Sequence, residues 1–241
     1  MIKKSKRFDI TDLKVIYEDN HLIAVNKPAR ILVHGDETGD ITLAELVKQY
    51  IKMRYKKPGD VFLGVVHRLD RPVSGAIIFA RTSKGLTRMQ KLFADRKVEK
   101  TYWAISKERP NPLQAELKNY LKKDTAKNMS KIFEKPSRRN PDVKLAELKY
   151  NLLGEVGGNY LIEVNPITGR PHQIRVQLSN IGCIIVGDVK YGYPRMQWKG
   201  DINLHCRSMS FIHPVKKEPI TIKAEPPKKD QVWQLFKGSF F

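Results

Sequence analysis

The sequence predicts an α+β fold, in which helices flank a mixed, mainly antiparallel sheet. Two pairs of β-rich runs, at 15–25 and 145–165, each enclose a short polar turn, which is typical of a β-hairpin. Other stretches carry apolar residues at helical spacing. Strands and helices alternate irregularly along the chain. A doubly wound parallel sheet needs regular alternation, so the pattern favours α+β.

The first half of the chain contains two predicted helices and two further strands. A capping box at 42–45, followed by apolar residues at helical spacing, predicts a helix from about 42 to 55. The apolar, β-branched run at 75–81 is typical of a buried strand. Helical spacing predicts a second helix over 86–93, and 98–106 alternates like a strand.

The second half is less regular. Residues 118–144 carry nine Lys and Arg against three acids, together with two prolines, which predicts a solvated, partly irregular segment. A proline at the start and Gly182 at the end predict a helix over 171–180. Residues 184–187 form an apolar run that predicts a buried strand, and 202–224 predicts further strand.

Composition and charge limit the possible partners. The chain has 241 residues, of which 41% are hydrophobic, so it can form a packed core and is not disordered in bulk. It carries 45 Lys and Arg against 25 Asp and Glu, a formal charge of +20. Such an excess indicates a polyanionic partner, most often nucleic acid. We expect a basic N-terminal tail at 1–11 and a single domain at 12–241.

The chain lacks the patterns of secretion, of membrane insertion and of cofactor binding. Cys183 and Cys206 cannot build a disulfide framework, no apolar segment follows the basic start, and the longest apolar stretch is about 76–80. No glycine-rich dinucleotide or triphosphate loop and no zinc-ligand spacing occurs. The sequence therefore predicts a cytoplasmic protein with no cofactor, no metal and no membrane contact, and nothing demands more than a monomer.

Asp70 lies in the most unusual stretch, residues 65–75, which read VVHRLDRPVSG. An apolar strand enters a cluster in which Arg68 and Arg71 flank the carboxylate, and nearby positive charge keeps a carboxylate ionised. An ionised, positioned carboxylate can act as a nucleophile. The alternative is structural: Asp70 caps a turn and pairs with a neighbouring arginine.

A second basic cluster lies at residues 166–177, which read PITGRPHQIRVQ. His172 and Arg175 share a helix face, and Arg170 precedes them at the predicted helix start. Helix N-termini and arginine forks both bind anions. A solvated amphipathic helix explains the same residues without any site.

Taken together, the two stretches resemble the RluA-type pseudouridine synthases. That family's pattern is His-Arg-Leu-Asp-x-x-Thr-Ser-Gly, Lys-x-Tyr-x-Ala, Gly-Arg-Thr-His-Gln-Ile-Arg and Gly-Asp-x-x-Tyr-Gly. Matching residues occur here in the same order, at 67–75, 100–104, 169–175 and 187–192, and the flanking segments 17–28 and 204–214 also fit. The similarity covers about residues 12–224. Val73 and Pro171 stand where the pattern has Thr.

The resemblance implies a pseudouridine-synthase-like catalytic domain and a specific reaction. Such enzymes cut the uridine N1–C1′ bond, rotate the base and rejoin it through C5. Asp70 matches the family's nucleophile, and whether it attacks the ribose or the base stays open. Tyr102 matches the tyrosine that stacks on the base and is a candidate for proton transfer. Arg175 best matches the arginine that pairs with the aspartate, and Arg170 is its rival.

The resemblance also implies an RNA partner, either ribosomal or transfer RNA, with the uridine in a stem-loop or bulge. Arg68 matches the arginine that fills the gap left by the flipped uridine. Arg71, Arg170 and His172 are further candidates for RNA contact. Weaker ones lie in the basic run: Lys122, Lys123, Lys127, Lys131, Arg138 and Arg139.

Two other functions compete with the enzyme. The first is a basic RNA-binding or ribosome-assembly protein that uses the same fold without chemistry, and the second is a DNA-binding regulator. Many relatives carry an S4-like RNA-binding domain before the catalytic domain. Because only about a dozen residues precede the first matched strand, we expect a single-domain member.

Overall fold

The computed structural model describes residues 8–35, 39–195 and 201–241. Most of the predicted tail therefore lies outside the described residues. The described strands are β1 Val15–Glu18, β2 Leu22–Lys27, β3 Gly64–Val65, β4 Ser74–Ala80, β5 Glu99–Ser106, β6 Gln114–Asp124, β7 Met129–Phe133, β8 Lys144–Val156, β9 Asn159–Pro166, β10 Leu204–Ile212 and β11 Pro219–Lys223. The helices are α1 Leu43–Arg54, α2 Ser83–Ala94, α3 Gln173–Asn180 and α4 Gln231–Gln234, and short 3-10 turns span Ile10–Asp12 and Val189–Tyr191.

The described strands form one sheet in the order β1-β2-β4-β10-β5-β9-β8-β6-β7, with β3 beside β4 and β11 beside β10. Among them only the β4–β10 pair is parallel, and the other pairs are antiparallel. The predicted α+β class with a mixed, mainly antiparallel sheet is confirmed. The hairpins β1–β2 and β8–β9 and the helices α1 and α2 lie where the sequence predicts them.

The parallel contact between β4 and β10 places the two strands unusually close at Gly75. Gly75 has φ +120°, and a Cβ atom added there would lie 2.3 Å from the carbonyl oxygen and 2.4 Å from the amide nitrogen of Cys206. Side chains rarely adopt this backbone conformation, and here no space exists for one. Gly75 therefore lets the chain leave the loop at 66–73 and enter the centre of the sheet.

Each face of the sheet has its own apolar core. The larger core packs beneath α1 and α2 and includes Tyr102 at its edge. The smaller core lies against the other face, where Trp103 and Ile105 alternate with Tyr102 along β5. Trp233 in α4 and Phe236 just after it cover this smaller core. The smaller core thus supports β5 on the face of the sheet opposite to Tyr102.

The prediction of a partly irregular segment at 118–144 is wrong for 118–124 and 129–133, which belong to β6 and β7, and holds for 134–143. The cross-strand pair Leu121 and Ile132 packs toward α3, and the neighbouring pair Lys122 and Lys131 lies on the opposite face of the hairpin. A strand with one solvated face alternates in this way. The many lysines obscured the alternation of inward and outward side chains that is typical of a strand.

Two other predictions need correction. Residues 184–187 do not form a strand, because only Ile185 bridges to Ser106 and a turn follows, although the segment is buried as expected. Helix α3 begins at Gln173 rather than at 171. His172 has φ 53°, in the left-handed region, so the helix cannot extend backward through it.

The β1–β2 turn is held by a nearly buried carboxylate. One oxygen of Asp19 accepts from the amides of His21 (2.8 Å) and Leu22 (2.7 Å), and the other from the Tyr17 hydroxyl (2.9 Å). Lys216 and His213 approach the same side chain at 3.1 and 3.0 Å. Burial raises the pKa of Asp19, but these hydrogen bonds outweigh it and lower the pKa to about 2.

This carboxylate predicts a loss of stability in acid. The pKa of Asp19 in the folded state lies below the unfolded value of 3.8. Its contribution to the free energy of unfolding is therefore complete above about pH 4 and is lost as pH falls toward 2. After allowance for solvent screening we expect about 1–2 kcal/mol. Denaturant titrations at pH 5.5 and 3 measure it, with Asp19→Asn expected to lose less stability between the two than wild type. The surface variant Asp95→Asn is the control, and an equal loss in wild type and Asp19→Asn contradicts the assignment.

Candidate active site

The loop between β3 and β4 carries Asp70 and is held in place by a buried lysine. Lys27, at the end of β2, has no exposed surface, and its Nζ donates to the carbonyls of Pro28 (2.9 Å), Arg71 (3.1 Å) and Val73 (2.7 Å). Burial lowers the pKa of Lys27 to about 7, against the opposing effect of the Asp70 carboxylate. The amide of Val73 donates to the Asp70 carbonyl (3.0 Å) and closes the turn. Asp70 is thereby fixed at the end of a buried strand.

Arg175 links two carboxylates that are distant in the sequence. Its Nη1 donates to Asp70 Oδ2 (3.1 Å), and its Nε and Nη2 each bond one oxygen of Asp188 at 2.7 Å. The side chains of Arg175 and Asp188 are 5% and 1% exposed, and that of Asp70 is 31% exposed. Burial lowers the pKa of Arg175, but the two carboxylates outweigh it and raise the pKa above its ordinary value. The pairing leaves Asp70 as the exposed end of a buried ionic chain.

His172 approaches the same oxygen of Asp70 from the other side. Its Nε2 lies 3.7 Å from Oδ2, and its Nδ1 lies 2.9 Å from the Tyr191 hydroxyl. The Tyr191 oxygen accepts from the buried amide of Ser130 (2.8 Å), in β7. Burial lowers the pKa of His172, and the neighbouring Asp70 only partly offsets this, so the ring is neutral near pH 7.

Tyr102 lies on β5, in register with Cys206 of β10 and Val164 of β9. Burial, the neighbouring Cys206 and the Asp70 carboxylate together raise the pKa of Tyr102 well above its ordinary value. The phenol therefore keeps its proton at neutral pH. Of the predicted residues, Arg175 contacts Asp70, and Tyr102 lies near enough for the Asp70 charge to act on its phenol.

The other predicted arginines make different contacts. Arg170 donates from Nε to the Leu145 carbonyl (2.9 Å), so Arg175, not Arg170, is the arginine that contacts Asp70. Arg71 bonds the Arg30 carbonyl (3.1 Å) and pairs with Asp40 (2.7 Å). Arg68 is exposed two residues before Asp70, and within the described part of the chain its side chain has no hydrogen bond or ion pair.

The basic hairpin β6–β7 contains both paired and exposed lysines. Lys122 pairs with Asp142 (2.9 Å) and Lys131 with Asp124 (3.3 Å). Lys123 lies opposite Ser130, which bonds Tyr191. Of the six basic residues predicted here for RNA contact, Lys123 and Lys127 in the hairpin and Arg138 and Arg139 after it are exposed and have no ion pair to a described residue.

Three residues that shape the site were not predicted from the sequence: Lys27, Asp188 and Gln173. Gln173 accepts from the Arg170 amide (2.9 Å) and donates to the Glu147 carbonyl (3.0 Å), which fixes the start of α3 against β8. All three lie within segments that match the family pattern, so the sequence marked their positions. What they lacked was the partner of each side chain, which only the folded chain shows.

Neither a metal cluster nor a membrane-crossing helix is found among the described residues. Within 8–35, 39–195 and 201–241, no three His, Cys, Asp or Glu side chains are grouped as metal ligands would be. The same residues contain no helix that is long and apolar enough to cross a bilayer.

Residues 21–180 match the model of a protein family described as RNA pseudouridylate synthase. The chain belongs to this family. It is therefore an RNA pseudouridine synthase, an isomerase, and the resemblance to the RluA-type enzymes is confirmed.

Named relatives agree with this assignment, and a solved structure shares the fold. A ribosomal large subunit pseudouridine synthase C from Buchnera aphidicola is 33% identical over 87% of this chain, which spans 66% of that relative. A tRNA pseudouridine synthase C from Vibrio cholerae is 32% identical over 95% of this chain and 96% of its own length. The structure of human RNA pseudouridylate synthase domain containing 4 shares the fold, with a TM-score of 0.73 and 24% identity over 89% of each chain.

Proposed function

We propose that this protein converts specific uridines of ribosomal or transfer RNA into pseudouridine, with Asp70 as the nucleophile. The observation that carries the proposal is the contact of Arg175 with Asp70, in which a buried guanidinium holds an accessible carboxylate beside Tyr102. A carboxylate held in one ionised geometry needs little reorganisation before it attacks.

The reaction breaks one bond to the base and forms another. The N1–C1′ glycosidic bond is cleaved, the uracil rotates, and C5 bonds to C1′. The hydrogen at C5 leaves as a proton, and N1 takes up a proton, so the product is an isomer of the substrate. Asp70 serves either as a nucleophile toward C1′ of the ribose or toward the base. Both routes end with the carboxylate regenerated, so neither needs an oxidant, a reductant or a further substrate.

Tyr102 is proposed as the stacking surface for the uracil and as a participant in proton transfer. Its raised pKa keeps the hydroxyl protonated, which suits a group that stacks and donates more than one that accepts a proton. Its ring packs at the edge of the larger core, and the core around Trp103 and Trp233 supports the opposite face of β5. A rigid aromatic platform restricts the positions that a rotating base can occupy.

Base flipping is part of the proposal because a stacked base shields its glycosidic bond. Extrusion costs a few kcal/mol and is easiest for a uridine in a loop or bulge. Arg68, exposed at the rim beside Asp70, is positioned to fill the gap that the uridine leaves. RNA contacts by Arg71, Arg170 and His172 stay predictions, because each of these side chains already has an intramolecular partner.

The net charge of +20 supports RNA as the partner, and Lys123 and Lys127 are the lysines of the basic hairpin best placed to meet its phosphates. Relatives named for ribosomal and for transfer RNA match about equally well, so both substrates belong to the proposal. The cytoplasmic location and the monomeric state stay predictions.

Release of tritium from RNA labelled at uridine C5 tests the proposal, because that hydrogen must leave in every turnover. We expect the wild-type protein to release tritium from unmodified total RNA, and sequencing for pseudouridine then identifies the site. Unlabelled DNA and RNA compete in parallel binding assays. RNA binding without release from either rRNA or tRNA transcripts contradicts the proposal and favours a non-catalytic RNA-binding protein. A preference for DNA favours the regulator.

A further inference from the structure

Tyr191 and Asp188 lie in the motif at 187–192, which the mechanism above leaves without a role. Asp188 precedes the short 3-10 turn Val189–Tyr191, and its carbonyl accepts the amide of Tyr191 (3.0 Å). Gly192, with φ 111°, ends the turn. This backbone geometry places the Asp188 carboxylate and the Tyr191 phenol three residues apart on the same side of α3.

From this turn, two arms reach the same atom of Asp70. The ionic arm runs from Asp188 through Arg175 to Oδ2, with contacts of 2.7 and 3.1 Å. The second arm runs from the Tyr191 hydroxyl through His172 to Oδ2, at 2.9 and 3.7 Å. The Tyr191 ring also lies under the Arg175 guanidinium, 5.0 Å from its centre. Among the described residues, none bonds Oδ1.

The hydrogen bonds of Tyr191 favour one tautomer of His172. The phenol oxygen accepts from the Ser130 amide, so its own hydrogen is available to Nδ1 of His172. With Nδ1 as the acceptor, the ring hydrogen lies on Nε2, on the side of Asp70. A separation of 3.7 Å is longer than a hydrogen bond, but such contacts in substrate-free sites often shorten when substrate binds.

We propose, on the basis of the function above, that Tyr191 and Asp188 are positioning residues for the nucleophile. Tyr191 acts through His172, and Asp188 acts through Arg175. Together they hold Oδ2 of Asp70 from two sides, which directs Oδ1 to the flipped uridine. His172 then serves Asp70 rather than the RNA, in agreement with a side chain that is only 10% exposed.

A double-mutant cycle tests this proposal with Tyr191→Phe, His172→Asn and the pair. Phenylalanine keeps the ring under Arg175, and asparagine tolerates the left-handed backbone at 172. We expect each single variant to lose about tenfold to a hundredfold in kcat with KM changed less than about threefold. Because both act through one contact, we expect the pair to lose little more than either single variant. Val189→Ala, in the same turn but half-exposed, is the control and keeps wild-type kcat.

Each outcome distinguishes the proposals. Tritium release by wild type and Tyr191→Phe at equal rates, or additive losses in the pair, overturns the positioning role and leaves the proposed function intact. A rise in KM at constant kcat for His172→Asn assigns His172 to RNA contact and also overturns it. If the wild type releases no tritium, the result contradicts the proposed function itself. If Tyr191→Phe melts early, Asp188→Asn at a temperature where it is folded provides the same kcat comparison.

Discussion

Replacing Asp70 with alanine is expected to abolish pseudouridine formation and to leave the fold intact. The side chain is partly exposed in a loop, and the loop is held by Lys27 through main-chain carbonyls. Arg175 keeps its two bonds to Asp188 when Asp70 is shortened, so no buried charge loses its only partner. Loss of the only proposed nucleophile lowers kcat by at least about a thousandfold.

Tritium release and thermal melting, measured on the same preparation, check this expectation. Asp70→Asn is the closest variant, because it keeps an oxygen for Arg175 but is a far weaker nucleophile. Asp60→Ala removes an exposed loop carboxylate that lies outside the site motifs and is the control. A folded Asp70→Ala protein with normal turnover would falsify the nucleophile assignment, and unchanged RNA affinity in an inactive variant supports it.

The largest expected effect on stability belongs to Gly75→Ala. The new methyl group would overlap backbone atoms of Cys206, and backbone in the centre of a sheet cannot move aside as a flexible side chain can. The φ of +120° adds strain for any L side chain. We expect a loss of more than about 4 kcal/mol in the free energy of unfolding, with little folded protein recovered.

Chemical denaturation with Gly59→Ala as the matched control measures this effect. A Cβ at Gly59 meets no atom within 4 Å, and its φ is not positive, so that variant is expected to unfold like the wild type. If Gly75→Ala and Gly59→Ala have the same midpoint, the close approach of β4 and β10 is not as the structure shows it.

Most of the fold could be predicted because local signals agreed with the tertiary structure. The capping box at Thr42 starts α1, where the side chain of Thr42 accepts from the Glu45 amide (3.2 Å). The β6–β7 hairpin was missed because its outward face is rich in lysine, so that composition masked the alternation. The segment at 184–187 was missed for the opposite reason, since burial between elements makes a turn as apolar as a strand.

Individual residues of the site could be predicted from the sequence, but the contacts between them could not. The motifs singled out Asp70, Tyr102 and Arg175, yet Arg170 was a close rival of Arg175 until the start of α3 was known. Gln173 holds the Arg170 amide and the left-handed His172 turns the chain, which sends Arg170 to the Leu145 carbonyl and Arg175 to Asp70. The two-residue difference between the predicted and the observed start of α3 decides which arginine pairs with Asp70.

Lys27 also bears on how the loop can evolve. It recognises carbonyl oxygens, which every amino acid supplies, so the position of the loop does not depend on which side chains occupy it. Valine at 73, where relatives of this type usually have threonine, presents the same oxygen to Lys27. Substitutions at 71 and 72, whose side chains reach the surface, can therefore adapt the rim to a new RNA, whereas Val73 is buried in the core and the lysine beneath the loop is constrained. The division separates the residues that can change specificity from the one that preserves the chemistry.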